Sequence, residues 1–105
     1  SGIAQLFTGK GTYFMQNGVA GACGAVHKDS DFIVALQTAE YANGAHCGKQ
    51  IKIMNKANKK TATATVADEC PTCVSQYSVD FSQGLFESMA ALSTGEIDIE
   101  WGFVN

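Results

Sequence analysis

The sequence predicts an all-β domain, a small closed barrel of about six short strands with one or two short helices. Residues 61–66 and 96–103 alternate strictly in side-chain character, which is the period of a β-strand. Eleven glycines and a single proline are spread along the chain as turn signals between short segments. An open sheet of such short strands would leave unpaired edges, so closure into a barrel is favoured. The 105 residues are enough for one domain, predicted to span 1–105.

The remaining strands follow from shorter patterns. Residues 11–15 predict an early strand, and residues 31–37 predict a strand that passes into a short helical turn. Residues 50–55 predict another strand. The two asparagines and three lysines of residues 55–60 then predict the hairpin loop that joins it to the threonine-rich strand at 61–66.

One helix and the closing strand are predicted to build the core. Residues 82–92 have helical spacing, with an apolar stripe made of Leu85, Phe86, Met89 and Leu92. Asp80 or Ser82 is the candidate cap of this helix. In the closing strand, Trp101 shares a face with Ile97 and Ile99, so it is predicted to pack in the core. The alternative is a platform at a groove edge on which a sugar ring stacks.

Composition excludes several classes of partner. The net charge is −3, and the chain has seven lysines but no arginine. Readers of nucleic acid rely on arginine forks, so neither nucleic acid nor an anionic membrane surface is expected as a partner. No apolar run approaches the roughly 20 residues of a membrane span. A neutral partner such as a glycan remains open.

The four cysteines predict two disulfides and an oxidising, extracellular compartment, with three possible pairings. A zinc site is the competing interpretation, but only Cys70 and Cys73 are close in sequence. A redox pair at Cys70-Pro71-Thr72-Cys73 lacks the surrounding βαβ pattern. His27 and His46 are expected to be surface or loop residues. We therefore expect no metal and no cofactor.

Two carboxylates are candidates for chemistry. Asp68 closes the threonine-rich strand, and Asp80 precedes the predicted helix. A turn acid and a helix cap are the plain structural interpretations. The alternative is that both acids converge across a groove, where one with a raised pKa would donate a proton to a glycosidic oxygen. Hydrolysis usually requires a second carboxylate as base or nucleophile.

Six motifs in order give the chain a family resemblance that covers nearly its whole length. The motifs are GTYF at 11–14, GACG at 21–24, ANGAHCGK at 42–49, VADECPTC at 66–73, VDFS at 79–82 and WGFV at 101–104. Together they resemble the barwin, expansin and loosenin superfamily, and especially the short fungal loosenins. The resemblance implies a six-stranded double-psi β-barrel with one or two short helices and a shallow polysaccharide groove.

The resemblance also implies roles for individual residues. Asp80 matches the essential acid, Asp68 lines the same groove, and Thr12 and Tyr13 of the first strand face it. The disulfides of the family imply the pair Cys23–Cys47, which leaves Cys70–Cys73 as a short loop closure.

One departure from the related hydrolases decides the expected activity. Glycoside hydrolases with this barrel carry a base Asp two residues beyond the first-strand tyrosine, where this chain has Met15. Asp80 is therefore expected to act as a lone acid, without hydrolysis.

The expected function is that of a secreted, monomeric, non-lytic protein that loosens wall polysaccharide such as cellulose, mixed glucan or chitin. One alternative is a protease inhibitor or defence-type binding module with a protruding loop at residues 72–78 or 42–46. Another is a weak endoglucanase or lytic transglycosylase.

Overall fold

The computed structural model describes residues 6–16, 18–73 and 75–104. Within them, six strands close into one barrel in the order β1-β5-β2-β4-β3-β6. The strands are β1 (Phe7–Phe14), β2 (Ile33–Gln37), β3 (Gln50–Asn55), β4 (Thr61–Cys70), β5 (Val79–Ser82) and β6 (Ile97–Phe103). Two short helices accompany them, α1 (Thr38–Tyr41) and α2 (Gln83–Met89). Short 3₁₀ turns follow each helix, at Ala42–Gly44 and Leu92–Thr94.

The strand pairing sets which residues share a face. β1 runs parallel to β5 and β2 runs parallel to β4, whereas the other neighbours are antiparallel. The β2–β4 register shifts between Val34 and Ala35, where β4 carries Ala67 as an extra residue. The predicted hairpin is confirmed, because β3 and β4 pair antiparallel on either side of the 56–60 turn.

The barrel interior is filled by the alternate apolar residues of the strands. Val34, Leu36, Ile51, Ile53 and Phe81 are inaccessible to solvent, and α2 adds Leu85, Phe86 and Met89 to the same cluster. Trp101 is also inaccessible, and its Nε1 donates a hydrogen bond to the carbonyl of Tyr77 at 2.9 Å. Trp101 is therefore a core residue, as predicted, and offers no stacking platform to a sugar.

The helix differs from its prediction at both ends. Ser82 occupies the N-cap position, but its Oγ donates to the carbonyl of Asp31 at 2.5 Å and makes no capping bond. Asp80 is not a cap either, because it lies inside β5. At the other end the carbonyl of Met89 accepts from the side-chain amides of Asn55 and Asn58, and α2 ends there.

Strand β1 begins four residues earlier than the prediction, at Phe7. Its two glycines, Gly9 and Gly11, weaken the strand pattern in the sequence. Each is required by a close contact in the structure. A Cβ on Gly9 would lie 2.1 Å from the carbonyl oxygen of Tyr77, and one on Gly11 would lie 2.9 Å from the ring of Phe81. Gly9 therefore lets the backbone at Tyr77 pack directly against β1, and Gly11 does the same for the core ring of Phe81.

Candidate functional site

Four residues lie in a row on the outward-facing side of the barrel strands, where Thr12, Asp80 and Asp68 are partly exposed and Ala35 is buried. In the strand registers, Thr12 of β1 lies opposite Asp80 of β5, Asp80 opposite Ala35 of β2, and Ala35 opposite Asp68 of β4. Residues opposite each other in a ladder point to the same side of the sheet. The barrel thus places both predicted acids on one face, two strand spacings or about 10 Å apart at the backbone. We call these four residues the acid row.

Asp80 lies in an environment that favours its protonated form. The carboxyl is partly buried, and its Oδ1 accepts a hydrogen bond from Thr12 Oγ1 at 2.9 Å. Burial raises the pKa of Asp80, the hydrogen bond from Thr12 opposes this rise, and repulsion from the Asp68 carboxylate adds to it. At a given pH a larger fraction of Asp80 is therefore protonated than of an unperturbed aspartate, and that fraction can donate a hydrogen bond to the oxygen of a neutral ligand.

The Asp68 carboxylate binds two backbone N–H groups, one of them in a neighbouring loop, which the sequence does not predict. Its Oδ1 accepts from the backbone N–H of Ala22 at 2.7 Å and of Glu69 at 2.8 Å. Gly21 approaches so closely that a Cβ there would lie 2.5 Å from the carbonyl oxygen of Ala67. Asp68 therefore anchors the 21–24 loop to the end of the acid row.

A pocket of about 130 Å³ lies beside Asp80. The residues lining it are Lys10, Thr12, Cys70, Thr72, Cys73, Ser78, Asp80 and Glu96. Lys10 forms an exposed ion pair with Asp98. The Cys70–Cys73 disulfide forms part of the wall, and a second disulfide joins Cys23 to Cys47. The short bridge is thus part of the site.

Glu96 is a second carboxylate among the residues that line the pocket of Asp80, while the action of Asp80 as an acid without a partner base stays a prediction. Gly11 of β1 pairs antiparallel with Ile97 of β6, so continuing this register by one residue places Glu96 beside Thr12. The alternation of residues 96–103 puts Glu96 on the polar face of the strand. This alternation is the only feature of the sequence that could have indicated Glu96 as a site residue. The closure of β6 onto β1 is what brings it to Asp80.

Tyr13 does not join the other three predicted residues. It follows Thr12 in β1, so its side chain points to the opposite face of the strand. Its ring centroid lies 4.9 Å from that of Phe86, and it packs against the core cluster. Met15 follows the end of β1 and is 43% exposed.

The histidines have ordinary local partners. His27 Nδ1 lies 3.4 Å from an Asp31 carboxylate oxygen. His46 Nδ1 lies 2.6 Å from the Glu40 carbonyl oxygen, and its ring packs against Phe103. Over the described residues, no group of three or more His, Cys, Asp or Glu side chains is arranged to hold a metal ion. In the same part of the chain, no helix has the length and apolarity needed to cross a membrane.

Comparison by sequence finds a family model and several relatives. The model described as Kiwellin-1 matches residues 8–87. The papain inhibitor of Streptomyces mobaraensis is 32% identical over 97% of this chain and 74% of its own length. A ripening-related protein of Oryza sativa subsp. japonica is 35% identical over 74% of this chain. This chain spans only 47% of that plant relative, so it corresponds to about half of it.

Comparison by structure finds the same barrel in solved proteins. The Streptomyces papain inhibitor superposes with a TM-score of 0.83, covering 98% of this chain and 97% of the inhibitor. A mutant expansin of Clavibacter michiganensis, solved in complex with cellohexaose, has a TM-score of 0.85 and 25% identity. The match covers 96% of this chain and 51% of the expansin. These neighbours confirm the double-psi β-barrel and the expansin-like superfamily, while the loosenin branch stays a prediction.

Proposed function

This chain belongs to the Kiwellin-1 family within the expansin-like double-psi β-barrels, and from that premise we propose that it binds wall polysaccharide along the acid row. Binding there would separate neighbouring polymer chains and loosen their packing without cutting them. The two disulfides suit an extracellular protein that meets such a polymer outside the cell.

The observation that carries this proposal is the position of Asp80. Its carboxyl lies between Thr12 and Ala35 in the acid row, is partly buried, accepts a hydrogen bond from Thr12 and has a raised pKa. A carboxyl group accepts hydrogen bonds from hydroxyl groups in either protonation state and donates one when it is protonated, which matches the hydroxyl groups of a neutral sugar. The similar expansin crystallised with cellohexaose supports a glucan chain as the ligand class.

The non-lytic part of the proposal depends on the second carboxylate. Inverting hydrolases hold their two carboxyl groups about 6.5–9.5 Å apart, with water between acid and base. Asp80 and Glu96 lie on the two strands that flank β1, so their backbones are about 10 Å apart. Glu96 is the only described carboxylate that lines the pocket with Asp80, so it is the group to test as a base. We base the non-lytic action on Met15, which stands where the related hydrolases carry their base Asp, so in our proposal Glu96 binds sugar hydroxyls and activates no water.

The test compares wild type with Asp80→Asn on cellulose and chitin. We expect weakening of the polymer by wild type, loss of that effect in the variant, and an unchanged circular dichroism spectrum. Glu87→Gln is the matched control, because it neutralises an exposed carboxylate on α2 outside the acid row. Loosening that persists in Asp80→Asn would refute the acid row as the site.

Release of reducing ends separates loosening from cutting. We expect none from soluble glucan with wild type and none with Glu96→Gln. Release by wild type that disappears in Glu96→Gln would show instead that Asp80 and Glu96 form a hydrolytic pair. The protein would then be a weak endoglucanase or lytic transglycosylase.

A second function, inhibition of a cysteine protease, is favoured by one specific observation. The Streptomyces papain inhibitor matches this chain from end to end, whereas the expansin match covers half of the expansin. Titration of papain with the purified protein tests this function directly. Stoichiometric loss of papain activity is the supporting result, and full activity at excess protein would refute it.

A further inference from the structure

The turn that follows α1 has an unusual backbone. Ala42, Asn43 and Gly44 are consecutive left-handed residues, with φ of 53°, 55° and 91°. Left-handed geometry costs roughly 1–2 kcal/mol for each residue that has a Cβ, so alanine is a poor choice here. Such strain persists only where the surrounding structure imposes it, and it concentrates at functional sites.

The residues that flank this turn, Tyr41 before it and His46 and Cys47 after it, are fixed by several contacts. Cys47 is joined to Cys23 by a disulfide, and the ring centroid of His46 lies 4.5 Å from that of Phe103. His46 Nδ1 also lies 2.6 Å from the carbonyl oxygen of Glu40, and Tyr41 packs against the core. The tip is free of these contacts, because the side chains of Ala42, Asn43 and Ala45 are exposed. The result is an exposed turn on a rigid base.

We propose that residues 42–45, the left-handed turn, insert into the active-site cleft of a papain-like cysteine protease. This inference rests on the inhibitory function proposed above and names the surface that would carry it. The tip has only small, uncharged side chains, which suit a narrow cleft. Because the turn is already ordered, binding would cost little conformational entropy.

The same backbone explains how such a turn would resist cleavage. An extended peptide runs with φ near −120° to −140°, whereas the left-handed turn curls with positive φ. The turn would therefore fill the cleft without offering an extended peptide bond to the protease thiolate. The Cys23–Cys47 disulfide would keep it in that shape.

The left-handed turn and the acid row can be tested separately. None of residues 42–45 lines the pocket beside Asp80. The turn lies near the ends of β2 and β4, where Gln37 pairs with Cys70, whereas the β3–β4 hairpin precedes the start of β4 at the other end of the barrel. Ala57 in that hairpin is exposed and gives a matched control position.

The experiment measures the inhibition constant for papain in Ala45→Arg and Ala57→Arg. Ala45 is exposed with ordinary right-handed angles, φ −61° and ψ −27°, so arginine fits without backbone strain. We expect Ala45→Arg to raise the inhibition constant at least about tenfold through a clash in the cleft. Ala57→Arg should inhibit as wild type does.

The outcomes are distinguishable. Wild-type inhibition that Ala45→Arg leaves unchanged would overturn the left-handed turn as the docking element while keeping the inhibitory function. A wild type without inhibition would refute the inhibitory function and the turn together. Binding of cellohexaose by Ala45→Arg at wild-type strength, where wild type binds it, shows that the barrel is intact. A matching thermal midpoint gives the same control without a sugar.

Discussion

Replacing Asp68 separates an anchoring role from a sugar-binding role. Asp68→Ala removes the acceptor of two backbone N–H groups, those of Ala22 and Glu69. Hydrogen bonds to a charged group contribute about 1.5–3 kcal/mol each when they are buried, and water replaces most of this at both bonds because Ala22 is exposed and Glu69 is only half-buried. We therefore expect the free energy of unfolding to fall by about 1–2 kcal/mol in total. For a domain of this size, that lowers the thermal midpoint by roughly 5–10 °C.

The matched variant is Asp68→Asn, which keeps an Oδ1 acceptor and removes the charge. We expect it to lose less than half as much stability as Asp68→Ala, measured by thermal and denaturant unfolding with both disulfides intact. The pKa of Asp80, followed by carboxyl-carbon NMR, should move down in Asp68→Asn, because repulsion from Asp68 contributes to its raised value.

Two results would refute this account of Asp68. If Asp68→Ala is as stable as wild type, the 21–24 loop does not depend on the carboxylate. If Asn and Ala lose equal stability, the lost term is the charge itself and not the hydrogen bonds. Loss of cellohexaose binding in the Asn variant at full stability would assign Asp68 to the sugar.

Three further predictions concern the acid row and the packing beneath it. Because the pKa of Asp80 lies above its ordinary 3.8 in the folded state, its ionised form lowers stability, and stability rises as the pH falls through the raised pKa. Asp80→Asn should thus be more stable than wild type at neutral pH, and the difference should shrink as the pH falls through the raised pKa and vanish below pH 3.8 in denaturant titrations. Trp101→Phe should cost about 2 kcal/mol or more by denaturant unfolding, since it leaves a cavity and an unpaired Tyr77 carbonyl. Gly9→Ala should cost about 1–3 kcal/mol by the same assay, because its Cβ would meet the Tyr77 carbonyl oxygen at 2.1 Å, whereas exposed Thr8→Ala should change little.

Much of the fold is visible in local patterns. The alternation of residues 61–66 and 96–103 correctly locates β4 and β6, although β4 continues to Cys70. The apolar stripe correctly locates α2, which nevertheless ends at Met89, where Ala90 adopts an extended backbone and Asn55 and Asn58 bind the carbonyl of Met89. Period and turn chemistry act over a few residues, so they can be recognised without knowing the partner strands.

The composition of the candidate site was decided by strand register. The row of Thr12, Asp80 and Asp68 agrees with the groove implied by the family resemblance, and its roles in binding remain proposals. Tyr13 was expected beside them, but the pleat of β1 turns it toward Phe86. Glu96 has no motif of its own and reaches Asp80 only through the pairing of β6 with β1.

The sequence by itself therefore determined the elements of this protein, namely short strands, a hairpin and one amphipathic helix. Only the closed barrel decided which carboxylates face one another, that Asp68 is bound to the 21–24 loop, and that the chain turns left-handed at 42–44. The physical reason is the distance along the chain over which each effect acts. Side-chain period and turn propensity depend on neighbouring residues, whereas register and closure depend on hydrogen bonds between strands far apart in the chain.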